Sequence, residues 1–136
     1  MLTTTFHGKE TVSVVVDLLP CRNHHGEQQW LRQDIIDQTA RRFRNKLNQH
    51  YFGHAARRFG KGLDMTIHLH NEPHRHFHIV IEKPEAEIII KFRSVIETIC
   101  LRDGWLKPSP YFGTTKSESA AQAYNGRHGA DTLILF

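Results

Sequence analysis

Leu63 to His70 (LDMTIHLH) and Arg75 to Glu82 (RHFHIVIE) each alternate, and Asn71, Glu72, Pro73 and His74 between them supply turn chemistry. The pair reads as a β-hairpin. A strand sends successive side chains to opposite faces, so His76 and His78 project together while Phe77 points the other way, and His68 and His70 share a face by the same rule. This hairpin is the firmest constraint on the fold.

The flanking segments fill in an α+β pattern. Thr11 to Leu18 (TVSVVVDL) is β-branched and apolar and stops before Pro20, as a buried strand does. From Gln28 to about His50, Trp30, Leu31, Ile35, Thr39, Phe43 and Leu47 recur at three- and four-residue steps, which predicts a long amphipathic helix. Pro84 closes the hairpin. Glu85 to about Leu101 then carries Ile88, Ile89, Phe92, Val95, Ile96, Ile99 and Cys100 at helical spacing, ending near Gly104. Tyr111 to Thr114 reads as a short strand, Ser117 to Tyr124 as a short helix, and Thr132 to Phe136 as a closing strand. The order β-α-β-β-α-(β)-α-β predicts a ferredoxin-like α+β fold, a central antiparallel sheet with helices packed on it.

With 136 residues the chain has room for one core and hence one domain, residues 1–136. No apolar run approaches the roughly 20 residues of a membrane span, and Met1 to Phe6 lacks a signal-peptide layout, so membrane partners and export are not expected. Cys21 and Cys100 are far apart and form no CxxC, which argues against a disulfide framework or a thiolate metal site and points to a cytoplasmic location.

Five of the 11 histidines, His68, His70, His74, His76 and His78, fall within eleven residues. If the hairpin pairs with a short connection, His68 lies opposite His76 or His78, and three imidazoles can meet at one ion. His68, His76 and His78 are the candidate ligands, with His70 the nearest rival to His68 and Asp64 and Glu72 as candidate carboxylate partners. A solvated polar face on an amphipathic hairpin is the alternative. A two-histidine phosphoesterase is excluded by pattern, because none of the five is followed two residues later by Thr or Ser.

The run His76-Phe77-His78-Ile79-Val80-Ile81, followed by Glu82-Lys83-Pro84, resembles the His-hydrophobic-His signature of HUH endonucleases, in particular the Rep-type rolling-circle replication initiators. The segment Ala120 to Gly129 (AAQAYNGRHG) is similar to the Rep catalytic segment, in which a tyrosine is followed by a basic residue about one turn later; Arg127 and His128 stand there in this chain. The resemblance implies a ferredoxin-like sheet with the two histidines on a central strand, a third ligand on the neighbouring strand, and Tyr124 as nucleophile on a downstream helix. It further implies a Mg²⁺ or Mn²⁺ cofactor and a 5′-phosphotyrosyl intermediate with a free 3′-hydroxyl. An all-imidazole site favours Mn²⁺, since Mg²⁺ prefers oxygen ligands.

Charge gives independent support for a nucleic-acid partner. Gln38 to Leu63 holds Arg41, Arg42, Arg44, Lys46, Arg57, Arg58 and Lys61 and no Asp or Glu, although the chain's net charge is only +4. Such a block suits phosphate contacts, and Tyr51, Phe52 and Phe59 interleave aromatics for stacking unpaired bases; Phe43 fits the core better. The expected activity is nicking and rejoining of single-stranded DNA or a DNA hairpin at the origin of a plasmid, phage or mobile element, with host replication proteins doing the unwinding. A single-domain HUH transposase and a non-catalytic metal- or nucleic-acid-binding module are the alternatives.

Overall fold

The β-branched run expected as a buried strand forms β2 (Lys9–Asp17), the spine of the sheet. The computed structural model describes residues 5–6, 9–113 and 132–134. The hairpin is β5 (Met65–His70) and β6 (His76–Glu82), whose register pairs His68 with His78 and His70 with His76. On its other side β6 pairs with β2, setting Val15 against His78 and Asp17 against His76. Short strands finish the edges: β1 (Thr5–Phe6) and β7 (Tyr111–Gly113) both pair with β2, and β8 (Thr132–Leu133) pairs with β5.

All these pairings are antiparallel, and the four-stranded centre runs β7-β2-β6-β5. The helix α1 (Gln33–Phe52) lies between β2 and β5 in sequence, and α3 (Ile89–Arg102) between β6 and β7. This α+β arrangement is compatible with a ferredoxin-like fold. No helix among the described residues is long and apolar enough to cross a membrane.

Alternation decides which sheet face is the core. Val12, Val14 and Val16 stand in register with Ile81, Ile79 and Phe77, and the last two stand opposite Ile67 and Leu69, so one face is wholly apolar. Against it pack Ile35, Ile36, Ala40, Phe43 and Leu47 of α1 and Phe92, Ile96, Ile99 and Cys100 of α3. Burial pushes the Cys100 thiol up to about 12, helped by Asp103 and Glu97, so this cysteine is an inert packing residue.

An ion pair ties the helix layer together. Arg42 of α1 donates from Nε to Asp103 Oδ2 (2.6 Å) and from Nη2 to Oδ1 (3.0 Å), while the Trp105 backbone N–H also donates to Oδ1 (3.0 Å). The Asp103 side chain is fully buried. A buried carboxylate is tolerated only when its oxygens are satisfied, and three donors do so here.

Several elements depart from the sequence expectation. The first helix begins at Gln33, not Gln28, because Cys21–His24 (β3) and Glu27–Trp30 (β4) form a separate ribbon. Its turn places His25 at φ 52° and Gly26 at φ 80°, the left-handed pair that a two-residue hairpin connection needs. Trp30, placed by periodicity on the helix's apolar face, is therefore 61% exposed on the ribbon. The helix α2 (His54–Phe59) was not expected. The helix expected from Glu85 starts at Ile89, after a turn in which Glu87 N–H bonds to Pro84 O, and Ile88 and Ile90 are exposed. The expected helix at Ser117 to Tyr124 lies outside the described residues, as does the end of the strand expected at Thr132 to Phe136.

Phe77 is fully buried between the two histidines that flank it in sequence. Phe77→Ala is expected to lower unfolding free energy by about 3–5 kcal/mol, measured by urea denaturation followed through tryptophan fluorescence.

Candidate metal centre

The register that builds the core on one face collects imidazoles on the other. His68, His70, His76 and His78 stand as two directly opposed cross-strand pairs, and opposed residues share a face. The His70 and His76 rings stack with centroids 4.9 Å apart, and the His70 and His78 centroids are 5.8 Å apart. His70 and His78 are only 1% and 6% exposed. Ser13, diagonal to His78 on β2, places its Oγ 2.9 Å from His78 Nε2.

Asp17 and His74 extend the group at the end of β2. The strand is held there by Leu18 N–H donating to Arg75 O (3.0 Å) and by Lys107 N–H donating to Asp17 O (2.9 Å). His74, in the β5–β6 turn whose Glu72-Pro73 peptide is cis, sets Nε2 2.9 Å from Asp17 Oδ1. Ligand atoms of Asp17, His74 and His76 all lie within 4.8 Å of one another. Donors around one small ion stand roughly 3.4 Å apart at the usual bond lengths, so small side-chain rotations close the set. His76 Nδ1 lies 2.9 Å from the His74 carbonyl oxygen. A carbonyl only accepts, so Nδ1 carries the proton and Nε2 is left with the lone pair a metal needs. An ion bound here would take the place of the contact between His74 and Asp17.

The donor chemistry of the triad fits a divalent cation: two imidazoles and one carboxylate combine nitrogen and oxygen donors. Sequence reasoning named neither Asp17 nor His74 as a ligand. The carboxylates it named lie elsewhere, Glu72 exposed in the turn and Asp64 exposed before β5. The signal for Asp17 was its place as a lone charged residue at the end of a buried apolar strand, but only the β2–β6 register reveals that it pairs with His76.

The other expected site residues are distributed as follows. His68 is half-buried opposite His78, His76 belongs to the triad, and His78 sits beside Ser13. Tyr124 lies outside the described residues. Tyr51 donates its hydroxyl to Glu87 Oε2 (3.3 Å), and burial, with the Glu87 charge and hydrogen bond added, pushes its phenol up to about 12. Tyr111 is exposed on β7, in the same cross-strand row as Val15 and His78.

The basic block belongs to the helix layer, on the side of the sheet away from the imidazoles. Arg41, Lys46, Arg57, Arg58 and Lys61 are exposed and Arg44 is half-buried. Arg42 is engaged by Asp103. Of the aromatics expected to stack bases, Tyr51 and Phe52 pack against the core, and Phe59 alone stands out at 74% exposure.

Comparison with protein-family models, with curated proteins and with solved structures returns no match to this chain.

Asp17→Asn and His76→Ala are each expected to weaken Mn²⁺ or Co²⁺ binding at least about tenfold, since even outer-shell changes at metal sites reach that range. Isothermal titration checks this. Affinity is also expected to fall as pH is lowered, because protons compete with the ion for imidazole nitrogen and carboxylate oxygen.

Proposed function

We propose that this chain is a metal-dependent single-stranded DNA nickase and strand-joining enzyme of HUH type, acting as a Rep-like initiator on a plasmid, phage or mobile element. The observation that carries the reading is the placement of His76 and His78 on a central strand, in ring contact with His70, opposite His68 and beside Asp17, on the sheet face that α1 and α3 leave free. A ferredoxin-like sheet with the His-hydrophobic-His run at its centre is what the sequence resemblance implies.

A bound divalent cation, Mn²⁺ or Mg²⁺, would neutralise a non-bridging oxygen of the scissile phosphate and orient it. His68, His76 and His78 remain the proposed imidazole set, with His70 placed to share it. Asp17 alters the choice of metal, because its carboxylate gives an oxygen donor that an all-imidazole site lacks and so favours the harder ions more than the histidines alone would. Ser13 and the His74 carbonyl would orient the rings.

In the proposed reaction the Tyr124 phenol gives up its proton as its oxygen bonds to phosphorus, the bond from phosphorus to the 3′ oxygen breaks, and that oxygen takes up one proton to leave as a 3′-hydroxyl, so no net proton is gained or lost. The phosphotyrosyl ester conserves the linkage, so attack by a 3′-hydroxyl reverses the step and rejoins the strand. Tyr51 is a poor nucleophile, because its raised pKa and its bond to Glu87 keep the phenol protonated. A single-domain transposase would use the same residues.

The test is incubation with Mn²⁺ and single-stranded DNA, followed by a denaturing gel. A covalent protein-DNA adduct is expected with the natural chain and not with Tyr124→Phe. An adduct that survives the substitution moves the nucleophile elsewhere. Absence of any adduct under all metals, with metal binding intact, favours the non-catalytic metal- and nucleic-acid-binding module.

A further inference from the structure

Half of the large apolar side chains exposed among the described residues sit on one helix. Ile88, Ile89, Ile90 and Leu101 belong to α3 or its N-cap, whereas Trp30, Phe59, Tyr111 and Leu133 stand singly on other elements. Single exposures are ordinary on a protein surface, but apolar side chains gathered on one face mark a place where something docks.

Helical spacing separates the outer face of α3 from its core face. Phe92, Ile96, Ile99 and Cys100 are buried against the sheet. At about 100° per residue, Ile90, Ser94, Glu97 and Leu101 fall on the side of the axis away from them, in steps of four, three and four residues. Ile90 is 73% exposed and Leu101 67%. Roughly 16 Å of helix axis separates the two, so the stripe has an apolar residue at each end and a polar middle.

The charges on this face complement themselves. Glu97 is the one acidic side chain of α3, against Lys91, Arg93 and Arg102. Arg93 lies one turn before Glu97, yet its guanidinium sits over the Phe112 ring, 5.4 Å from the centroid; a helical pair in which the cation comes first is the weaker order. A twofold axis level with the middle of α3 lays a second α3 antiparallel on the first. Ile90 then meets the partner's Leu101, and Leu101 meets the partner's Ile90, because each pair is equally spaced about the midpoint. Arg93 and Glu97 lean to the same flank of the stripe, and the same axis brings Arg93 beside the partner's Glu97 twice. Contacts made in such reciprocal pairs define an isologous interface. A parallel pairing would instead set Glu97 beside Glu97.

We propose that the outer stripe of α3 is a self-association surface, on which a second copy of this chain docks antiparallel through Ile90 and Leu101 with reciprocal Arg93–Glu97 pairs. The inference goes beyond the nickase reading and does not rest on it. Since α3 covers the sheet face opposite the histidines, the two imidazole faces of the dimer point away from the interface and from each other. Exposed ion pairs add little affinity, so the apolar residues hold the dimer and the charges fix its direction. One helix face is small beside the roughly 800 Å² per partner of a standard interface, which puts the dissociation constant in the micromolar range.

Sedimentation equilibrium of the full chain, in EDTA and without DNA, tests this; the chelator removes any bridging of histidines by metal. A species of twice the 15.8 kDa chain mass is expected to dominate at a chain concentration of about 1 mM. Leu101→Lys and Arg93→Glu are each expected to raise the dissociation constant at least about tenfold. Trp30→Ser, which removes an exposed apolar side chain on the ribbon, is expected to leave it unchanged. All these positions are on the surface, and a thermal melt confirms folding. Arg93→Glu alone sets glutamate against Glu97, and Glu97→Arg alone sets arginine against Arg93, so each variant by itself associates weakly. An equimolar mixture of the two restores both ion pairs and is expected to dimerise as the natural chain does. A chain that stays monomeric at that concentration overturns the proposal and leaves the face to a different protein. A dimer indifferent to Leu101→Lys, an equal loss in Trp30→Ser, or a mixture that associates no better than either charge variant alone overturns it as well.

Discussion

The antiparallel register of β6 between β2 and β5 is the constraint on which the rest of the molecule depends. It fixes Phe77 against Val16 and Leu69, and in doing so fixes His76 against Asp17 and His70, because neighbouring residues on a strand cannot move independently. A slip of one residue would exchange the faces, turning imidazoles toward the helices and Phe77, Ile79 and Ile81 toward the opposite side. Burial of those three side chains therefore enforces the geometry of the histidine face. The Arg42–Asp103 pair acts on the same layer from behind, joining α1 to the segment that leaves α3 and so holding the two helices that cover the core.

The two halves of the chemistry are separated by this sheet. Nitrogen and oxygen donors gather on one side, and positive charge gathers beyond the helices on the other. The arginines and lysines close together in sequence are also not equivalent in space: Arg42 is committed to a buried carboxylate, whereas Lys46 and Lys61 stand exposed.

Much of the fold was legible because it rests on local periodicity. The alternation in LDMTIHLH and RHFHIVIE set the hairpin and the shared face of its histidines, and the three- and four-residue spacing of Ile35, Thr39, Phe43 and Leu47 set the buried side of α1. The ribbon of β3 and β4 was missed because His25-Gly26 is a less familiar turn pair than Asn-Gly, and because Trp30 and Leu31 happen to continue the helical spacing. Ile88 and Ile89 misled for a related reason: they fit an apolar helix, yet the turn after Pro84 delays its start and both are exposed. Asp17 was illegible on different grounds. Its partnership with His76 depends on which strand lies on the far side of β6, and no local pattern carries that information.

The ring of His76 is held from two directions at once, by the His74 carbonyl at Nδ1 and by the His70 ring stacked on its plane. Rotation about its side-chain torsions would break the first contact or collide with the second, so the His76 ring is oriented before any ion arrives. A cation reaching this face meets donors whose orientational entropy was already surrendered when the sheet formed, and its capture becomes a matter of desolvation and proton release more than of ordering the chain.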